Sequence, residues 1–131
     1  MKCKKYFLIL PLIFAVLLNY YLSSLTDLPN LNVNNIDKFL HFGLYLFIGI
    51  TIIILLKIVF KVEIDKKKII FYTILIGFIL GAIDEIHQIW VPDRTSSFFD
   101  WLADATGIIM SLFFINNIFK IIEKIKKYFR K

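Results

Sequence analysis

The chain has 131 residues, of which 59% are hydrophobic and 20% charged, and its mean hydropathy is +0.75. Because a soluble domain contains roughly 50% apolar residues, this composition excludes a soluble globule and a disordered tail. The single cysteine, Cys3, excludes an intramolecular disulfide. The net charge of +6 does not indicate nucleic acid binding, because the basic residues are distributed as in a membrane protein.

Four apolar stretches follow one another along the chain, at residues 6–25, 39–60, 69–91 and 98–119. A hydrocarbon core about 30 Å thick requires roughly 20 helical residues, and backbone groups in lipid need partners within their own segment. We therefore expect an all-α fold, a four-helix transmembrane bundle forming one domain over residues 1–131. The first stretch is interpreted as a retained helix rather than a cleaved signal peptide.

Basic and acidic residues fall on opposite sides of this bundle. Of the 16 Lys and Arg residues, 14 lie in the N-terminal segment, the second connection and the tail at 120–131, whereas only Lys38 and Arg94 lie on the other side. Seven of the ten acidic residues lie on that other side. Basic loops remain in the cytoplasm, so both termini are predicted to be cytoplasmic. The basic tail is expected to form a short helix on the anionic inner leaflet.

Polar and small residues recur at helical spacing on three of the predicted helices. These stripes are Asp37, His41 and Tyr45; Gly77, Gly81, Asp84 and Gln88, with Glu85 beside them; and Asp100, Asp104, Gly107 and Ser111. Residues three and four apart share a helix face, so these faces should point into the bundle. We expect one layer about 10 to 12 Å below the outer boundary, a second layer above it and a cap. The deep layer contains Asp84, Asp104 and Tyr45, and the layer above it contains His41, Gln88 and Asp100. The cap contains Asp37, Lys38 and Arg94.

Acidic side chains at this depth are costly. A charge at the centre of a membrane costs roughly 2.5 to 3.5 kcal/mol, so three carboxylates exceed what packing requires. One alternative is that Lys38 and Arg94 neutralise two acids while hydrogen bonds satisfy the rest, with His41 and Tyr45 as packing residues. The excess of acids favours a further compensation, namely protonation, a bound metal or a cationic ligand. Whether His87 belongs to this site stays open.

Two sequence blocks resemble the VanZ-like family of small bacterial membrane proteins. The blocks are D-K-F-L-H-F-G-L-Y from Asp37 to Tyr45 and D-E-I-H-Q-I-W-V-P-D-R-T-S-S-F-F-D-W-L-A-D-A-T-G from Asp84 to Gly107. The resemblance implies that the motif positions are Asp37, Lys38, His41, Tyr45, Glu85, Gln88, Arg94, Asp100, Asp104 and Gly107. The chain departs from the family pattern at Asp93, where the family often has a glycine, and we expect this acid to weaken anion binding by the neighbouring Arg94. The family name implies a link to teicoplanin resistance at the cell envelope.

Three functions are compatible with the sequence. The first is an enzyme that acts on an envelope lipid or lipid-linked precursor at the outer leaflet of the bacterial cytoplasmic membrane. Its catalytic residues are predicted to be Glu85, Asp84, His41 and Asp104, and its substrate-binding residues Arg94, Lys38, Gln88, Tyr45, Asp37 and Asp100. Within this hypothesis Glu85 or Asp84 is the general base, His41 shuttles protons, and a divalent cation such as Mg²⁺ bridges the acids and a phosphate.

The second function is a non-catalytic binder that holds an envelope lipid or a glycopeptide in the polar pocket. The third is a proton-coupled carrier, since buried carboxylates and a histidine suit proton relay. Four short helices leave little room for alternating access, so a carrier would require an oligomer. The oligomeric state, the substrate and the metal are left open by the sequence.

Overall fold

The computed structural model of the chain describes Phe7 and residues 9–25, 36–59, 65–92 and 96–128. Within these ranges the chain forms helices and no strand. The elements are α1 (Leu10–Ser23), α2 (Ile36–Val59), α3 (Lys66–Ile89), α4 (Phe98–Ser111), a 3₁₀ turn (Leu112–Phe114) and α5 (Ile115–Tyr128). The all-α, four-helix prediction is confirmed, because α4, the turn and α5 form one continuous helical segment.

Three helical segments are long and apolar enough to cross a membrane: α2, α3 and the 30-residue segment Phe98–Lys127. The first helix is shorter than predicted. At 14 residues α1 is about 21 Å long; Phe7 and Ile9 precede it in 3₁₀ conformation, and residues 6 and 8 lie outside the described residues. Pro11 lies in its first turn, where the missing N–H of proline costs no helical hydrogen bond.

Both α2 and α3 begin three residues before their apolar stretches. The added turns carry charged residues, Asp37 and Lys38 in α2 and residues 66–68 in α3. Hydropathy marks where a helix enters lipid, whereas the helix itself continues into the polar boundary. At its other end α3 stops at Ile89, two residues before the predicted boundary.

The fourth predicted helix does not end at residue 119. The 3₁₀ turn tightens the helix after Ser111, and α5 then continues through most of the predicted tail. The tail is thus not a separate element, because α5 buries Ile115, Ile118 and Ile122 against the bundle. Its lysines lie on the exposed face.

Small residues allow α4 to lie against both α2 and α3. A Cβ atom on Gly107 would lie 2.5 Å from the carbonyl oxygen of Phe42, so α4 touches the α2 backbone itself. The side chain of Ile108 fills the space beside Gly77 on α3, and Ser111 lies against Gly49 on α2. Such small residues let membrane helices approach closely. They place α4 at the centre of the bundle.

Large apolar side chains cover the outside of the bundle. Those with at least half of their surface exposed include Phe14, Leu17, Phe39, Phe71, Ile79, Ile83, Ile86 and Phe113. A soluble monomer rarely exposes apolar surface on this scale. Together with three helices of membrane-spanning length, these faces indicate an integral membrane protein whose outer surface meets lipid.

Candidate functional site

One histidine and two aspartates from three helices meet inside the bundle. His41 on α2 lies with its Nδ1 2.9 Å from Oδ1 of Asp104 on α4 and 3.8 Å from Oδ2 of Asp84 on α3. All three side chains are at least nine-tenths buried. We call these three residues the His–Asp–Asp cluster. A charged or polar group in this position cannot be solvated by bulk water, so its neighbours must satisfy it.

The three residues lie at matched depths from the nearest helix ends. His41 and Asp84 are each five residues from the end of their helix and Asp104 is six, which corresponds to about 8 or 9 Å. The sequence-based layering was wrong for His41, which lies level with the two aspartates instead of above them. The main reason is the end of α3 at Ile89, which leaves Asp84 closer to the end of its helix than the apolar stretch to residue 91 suggested.

The first helix also contributes to this site, which the sequence analysis did not anticipate. Ser23 donates a hydrogen bond of 3.0 Å to Oδ2 of Asp84, and Asn19 is buried one turn earlier. The buried residues of α1 are Ala15, Asn19 and Ser23, four apart along the helix. This spacing of small and polar residues in an apolar stretch was the available signal, and it was hidden by the overall hydropathy of the segment.

Gln88 extends the polar contacts along α3. Its Nε2 donates a 3.2 Å hydrogen bond to Oδ2 of Asp84, one turn away. Its Oε1 and the Oδ2 of Asp104 are buried with no hydrogen-bond partner among the described residues. Both side chains are only 1% exposed. Buried oxygens without a donor are rare in folded proteins and call for a partner.

Glu85 lies beside the cluster but has another set of partners. Its Oε2 accepts hydrogen bonds of 2.9 Å from the Ser96 hydroxyl and 2.8 Å from the backbone N–H of Ser97. Ser97 immediately precedes α4, so Glu85 satisfies a free N–H and places negative charge at the positive end of that helix. This carboxylate therefore anchors α4 to the end of α3.

The remaining predicted residues lie closer to the helix ends. Lys38 pairs with the buried Asp100, with Nζ 3.3 Å from Oδ1. Asp37 lies on the other side of His41, with its Oδ1 3.9 Å from Nε2. Arg94 lies outside the described residues, as does its neighbour Asp93.

An apolar cavity of about 300 Å³ reaches the cluster from between α1, α2 and α3. Asp84 and the fully buried Tyr45 form part of its wall, and the rest is mostly apolar, with Val16, Leu80, Ile83 and Ile86. A second groove, about 440 Å³ between α2 and α4, is lined by Lys38 but by none of the cluster residues. We call the first the α1–α3 cavity and the second the α2–α4 groove.

His87 lines the α1–α3 cavity but is not part of the cluster. Its ring stacks on Tyr20 at a centroid distance of 4.2 Å, and its Nε2 lies 3.0 Å from the hydroxyl of Ser24. Both partners lie at the C-terminal end of α1. His87 therefore ties α3 to α1 at the side of the cavity.

These features define a class of protein: a helical membrane protein with a histidine–carboxylate centre buried between its helices and reached by an apolar cavity. A sequence model of the VanZ/LLP1 family matches residues 4–120, and the chain belongs to this family. The match covers all three residues of the cluster. No curated protein and no solved structure matches the chain.

Proposed function

We propose that the protein takes an envelope lipid or lipid-linked precursor into the α1–α3 cavity and acts on it at the His–Asp–Asp cluster. The single observation that carries this proposal is the position of Asp84, which belongs both to the cavity wall and to the cluster. Ligand sites typically combine apolar walls with a few convergent polar groups. An amphiphile suits such a site, because its chain can occupy the apolar part while its polar group reaches Asp84.

The ligand is expected at the outer leaflet. Only two of the 16 basic residues lie on the side of Asp84 and Asp104, and the basic side of a membrane protein remains in the cytoplasm. The site would then face the extracytoplasmic side of a bacterial cytoplasmic membrane, where cell-envelope precursors are exposed. This location agrees with the association of the family with teicoplanin resistance.

Asp84 and His41 are the groups best placed for proton transfer. The carboxylate of Asp104 holds the His41 ring by its Nδ1, which fixes the orientation of the imidazole. Asp84 borders both His41 and the cavity, so it is the proton acceptor nearest to a bound ligand. Of the two predicted bases, Asp84 is favoured over Glu85, because Asp84 lines the α1–α3 cavity and lies beside His41, whereas Glu85 is bonded to the start of α4.

Lys38 and Arg94 remain the proposed anchors for an anionic headgroup. Lys38 is already paired with Asp100, so an incoming phosphate would share or replace that carboxylate. Gln88 and Tyr45 would contact the polar part of the ligand from α3 and α2. Asp37 would act on the ligand indirectly, through His41, because its carboxylate lies near Nε2, the ring nitrogen that does not contact Asp104.

A non-catalytic binder of an envelope lipid or glycopeptide is the second candidate. The observation that favours it is the extent to which the acids are engaged within the chain: Asp84 accepts from Ser23 and Gln88, and Glu85 from Ser96 and Ser97. Acids held in this way can bind and orient a ligand without transferring a proton.

A matched pair of cavity variants tests ligand entry. Val16 lines the α1–α3 cavity, whereas the adjacent Leu17 is 61% exposed on the lipid side. The bulk of tryptophan in Val16→Trp should fill the cavity and reduce the lipid that co-purifies with the protein, measured by native mass spectrometry. Leu17→Trp should retain it. Equal retention in both variants would refute entry through this cavity.

The His41→Ala variant separates the enzyme from the binder. The purified wild type and variant are incubated with lipid-linked envelope precursors, and the products are resolved by liquid chromatography and mass spectrometry. The enzyme hypothesis predicts conversion by the wild type and at least about a 100-fold slower conversion by His41→Ala, as expected for loss of a general acid–base. A lipid that both proteins retain without alteration favours the binder.

A further inference from the structure

We propose that the His–Asp–Asp cluster is a binding site for one divalent transition-metal ion, with His41 Nδ1, Asp84 Oδ2 and Asp104 Oδ1 as its protein ligands. The three residues come from different helices, and one ligand atom from each lies within 4.8 Å of the other two. The site is fully internal to the bundle, unlike the exposed acidic groups that occur on many protein surfaces.

The spacing of the three atoms suits an ion of this size. Ligand atoms about 2.1 Å from an ion lie roughly 3 to 3.5 Å from each other. His41 Nδ1 lies 2.9 Å from Asp104 Oδ1 and 3.8 Å from Asp84 Oδ2, and these two distances bracket that spacing. The ion would take the place of the proton that Nδ1 and Asp104 share.

Unsatisfied oxygens around the cluster point to a missing positive partner. Asp104 Oδ2 and Gln88 Oε1 are fully buried and lack hydrogen-bond donors among the described residues, as do Glu85 Oε1 and Asp100 Oδ1 outside the cluster. A rotation of the Gln88 side-chain amide by about 180° would exchange the positions of Nε2 and Oε1. Oε1 would then lie about 3 Å from Asp84 Oδ2, on the side of the cluster. An ion would provide both oxygens with a partner, directly or through a bound water.

A third carboxylate, that of Asp37, lies on the side of the second ring nitrogen of His41, at a distance longer than a direct hydrogen bond. A ligating histidine usually directs its second ring nitrogen to a carboxylate or carbonyl, which fixes the tautomer. The Nε2 of His41 faces Asp37 Oδ1 at 3.9 Å, on the side of the ring away from the two ligand carboxylates. Ser23 lies on the Asp84 side, where its hydroxyl already holds the proposed ligand oxygen at 3.0 Å.

The donor set favours Mn²⁺ or Zn²⁺. One imidazole with two carboxylates is a mixed nitrogen and oxygen set, whereas Mg²⁺ and Ca²⁺ prefer oxygen alone. Three protein ligands leave at least one position of the ion open. Under the proposed function that position would meet the phosphate or other anionic group of the lipid, so the ion extends that proposal without depending on it.

Binding of the metal alone tests the inference. The full chain is purified in detergent, stripped with a chelator and titrated with Mn²⁺, and the bound ion is counted from the loss of the free Mn²⁺ electron paramagnetic resonance signal. Zn²⁺ is measured in parallel by elemental analysis and by displacement of Mn²⁺. We expect one ion per chain, and with ¹⁵N-labelled histidine the bound Mn²⁺ should show hyperfine coupling to a ring nitrogen.

A matched pair of aspartates on α4 provides the control. Asp104→Asn should weaken binding by more than about 100-fold, because changes to residues that only support a ligand already cost about 10- to 100-fold. Asp100→Asn changes an equally buried carboxylate one turn away that pairs with Lys38, and it should leave the ion bound. Circular dichroism and thermal unfolding in detergent establish that both variants are folded.

Asp84→Asn provides a second variant should Asp104→Asn fail to fold. The inference is overturned if the folded wild type binds neither Mn²⁺ nor Zn²⁺, or if the Asp104 and Asp100 variants bind the ion equally well. These measurements need no lipid, and the lipid-retention experiment on Val16→Trp needs no added ion. Failure of the metal site is therefore distinguishable from failure of the proposed function.

Discussion

Each buried carboxylate at this end of the bundle is paired with a donor from a different part of the chain. Asp84 pairs with Ser23 of α1, Glu85 with Ser97 before α4, Asp100 with Lys38 of α2, and Asp104 with His41 of α2. Such pairing lowers the cost of burying acids among apolar side chains. The polar contacts therefore fix the helices relative to one another as well as forming a site.

The hydrogen bond from Ser23 is the polar contact between α1 and the cluster that can be removed most cleanly. Ser23→Ala should lower the free energy of unfolding by about 1 to 3 kcal/mol, because it removes a donor from a buried carboxylate oxygen. Thermal unfolding in detergent measures the change. The control is Thr106→Ala, whose exposed hydroxyl donates to the Leu102 carbonyl of its own helix and which should change stability by less than about 0.5 kcal/mol. Equal effects would contradict a structural role for Ser23.

At the scale of single residues, the sequence predicted which helix faces point into the bundle better than it predicted which side chains on those faces contact one another. Asp84, Gln88, Asp104 and Ser111 are all buried, as their spacing of three and four residues indicated. Spacing cannot reveal which side chains from different helices touch, since that depends on helix rotation and depth. The use of Glu85 at the start of α4 was unpredictable for this reason. The assignment of catalytic and binding roles to these residues stays a prediction.

At the scale of helices, glycines set the distance between α2 and α4. A methyl group on Gly107 would lie 2.5 Å from the Phe42 carbonyl oxygen and 2.8 Å from the Leu46 nitrogen, and neither backbone atom can move away alone. Gly107→Ala should therefore separate the two helices and destabilise the protein by about 1 to 3 kcal/mol.

Gly43→Ala is the matched control for this substitution. The same methyl group at Gly43 on α2 meets nothing within 4 Å, and alanine favours a helix over glycine by up to about 1 kcal/mol. We expect this variant to be as stable as the wild type or more stable. Thermal unfolding of both variants in the same detergent makes the comparison, and a Gly107→Ala protein as stable as Gly43→Ala would refute the close contact.

The existence and order of the helices followed from hydropathy, whereas their ends did not. The apolar stretches located α2 and α3, but Asp37, Lys38 and the lysines at 66–68 extend both helices beyond lipid-facing sequence. The apolar stretch at the N-terminus was longer than α1 itself. A hydropathy pattern reports solvent preference, and a helix end is decided by backbone hydrogen bonding.

At the scale of the whole molecule, the charge distribution predicts the orientation in the membrane. Two cysteine variants, Trp90→Cys and Lys127→Cys, are made in a Cys3→Ser background. Trp90 lies at the C-terminal end of α3 and is 80% exposed, and Lys127 lies on the exposed face near the end of α5. A membrane-impermeant maleimide should label Trp90→Cys in intact cells and Lys127→Cys only after permeabilisation, because the basic segments remain inside. The reverse pattern would contradict the proposed outward-facing site.

The residues through which α4 positions the His–Asp–Asp cluster are different from those that form the apolar wall of the α1–α3 cavity. Ile108 fits between α2 and α3, and Asp104 lies one turn before it on the same face of α4, so the packing of Ile108 also sets the position of Asp104 in the His–Asp–Asp cluster. The apolar walls of the α1–α3 cavity come from other helices, with Val16 on α1 and Ile83 and Ile86 on α3. Under the proposed function, substitutions in these walls would alter the preference for a particular hydrocarbon chain without changing the contacts that α4 makes in the cluster.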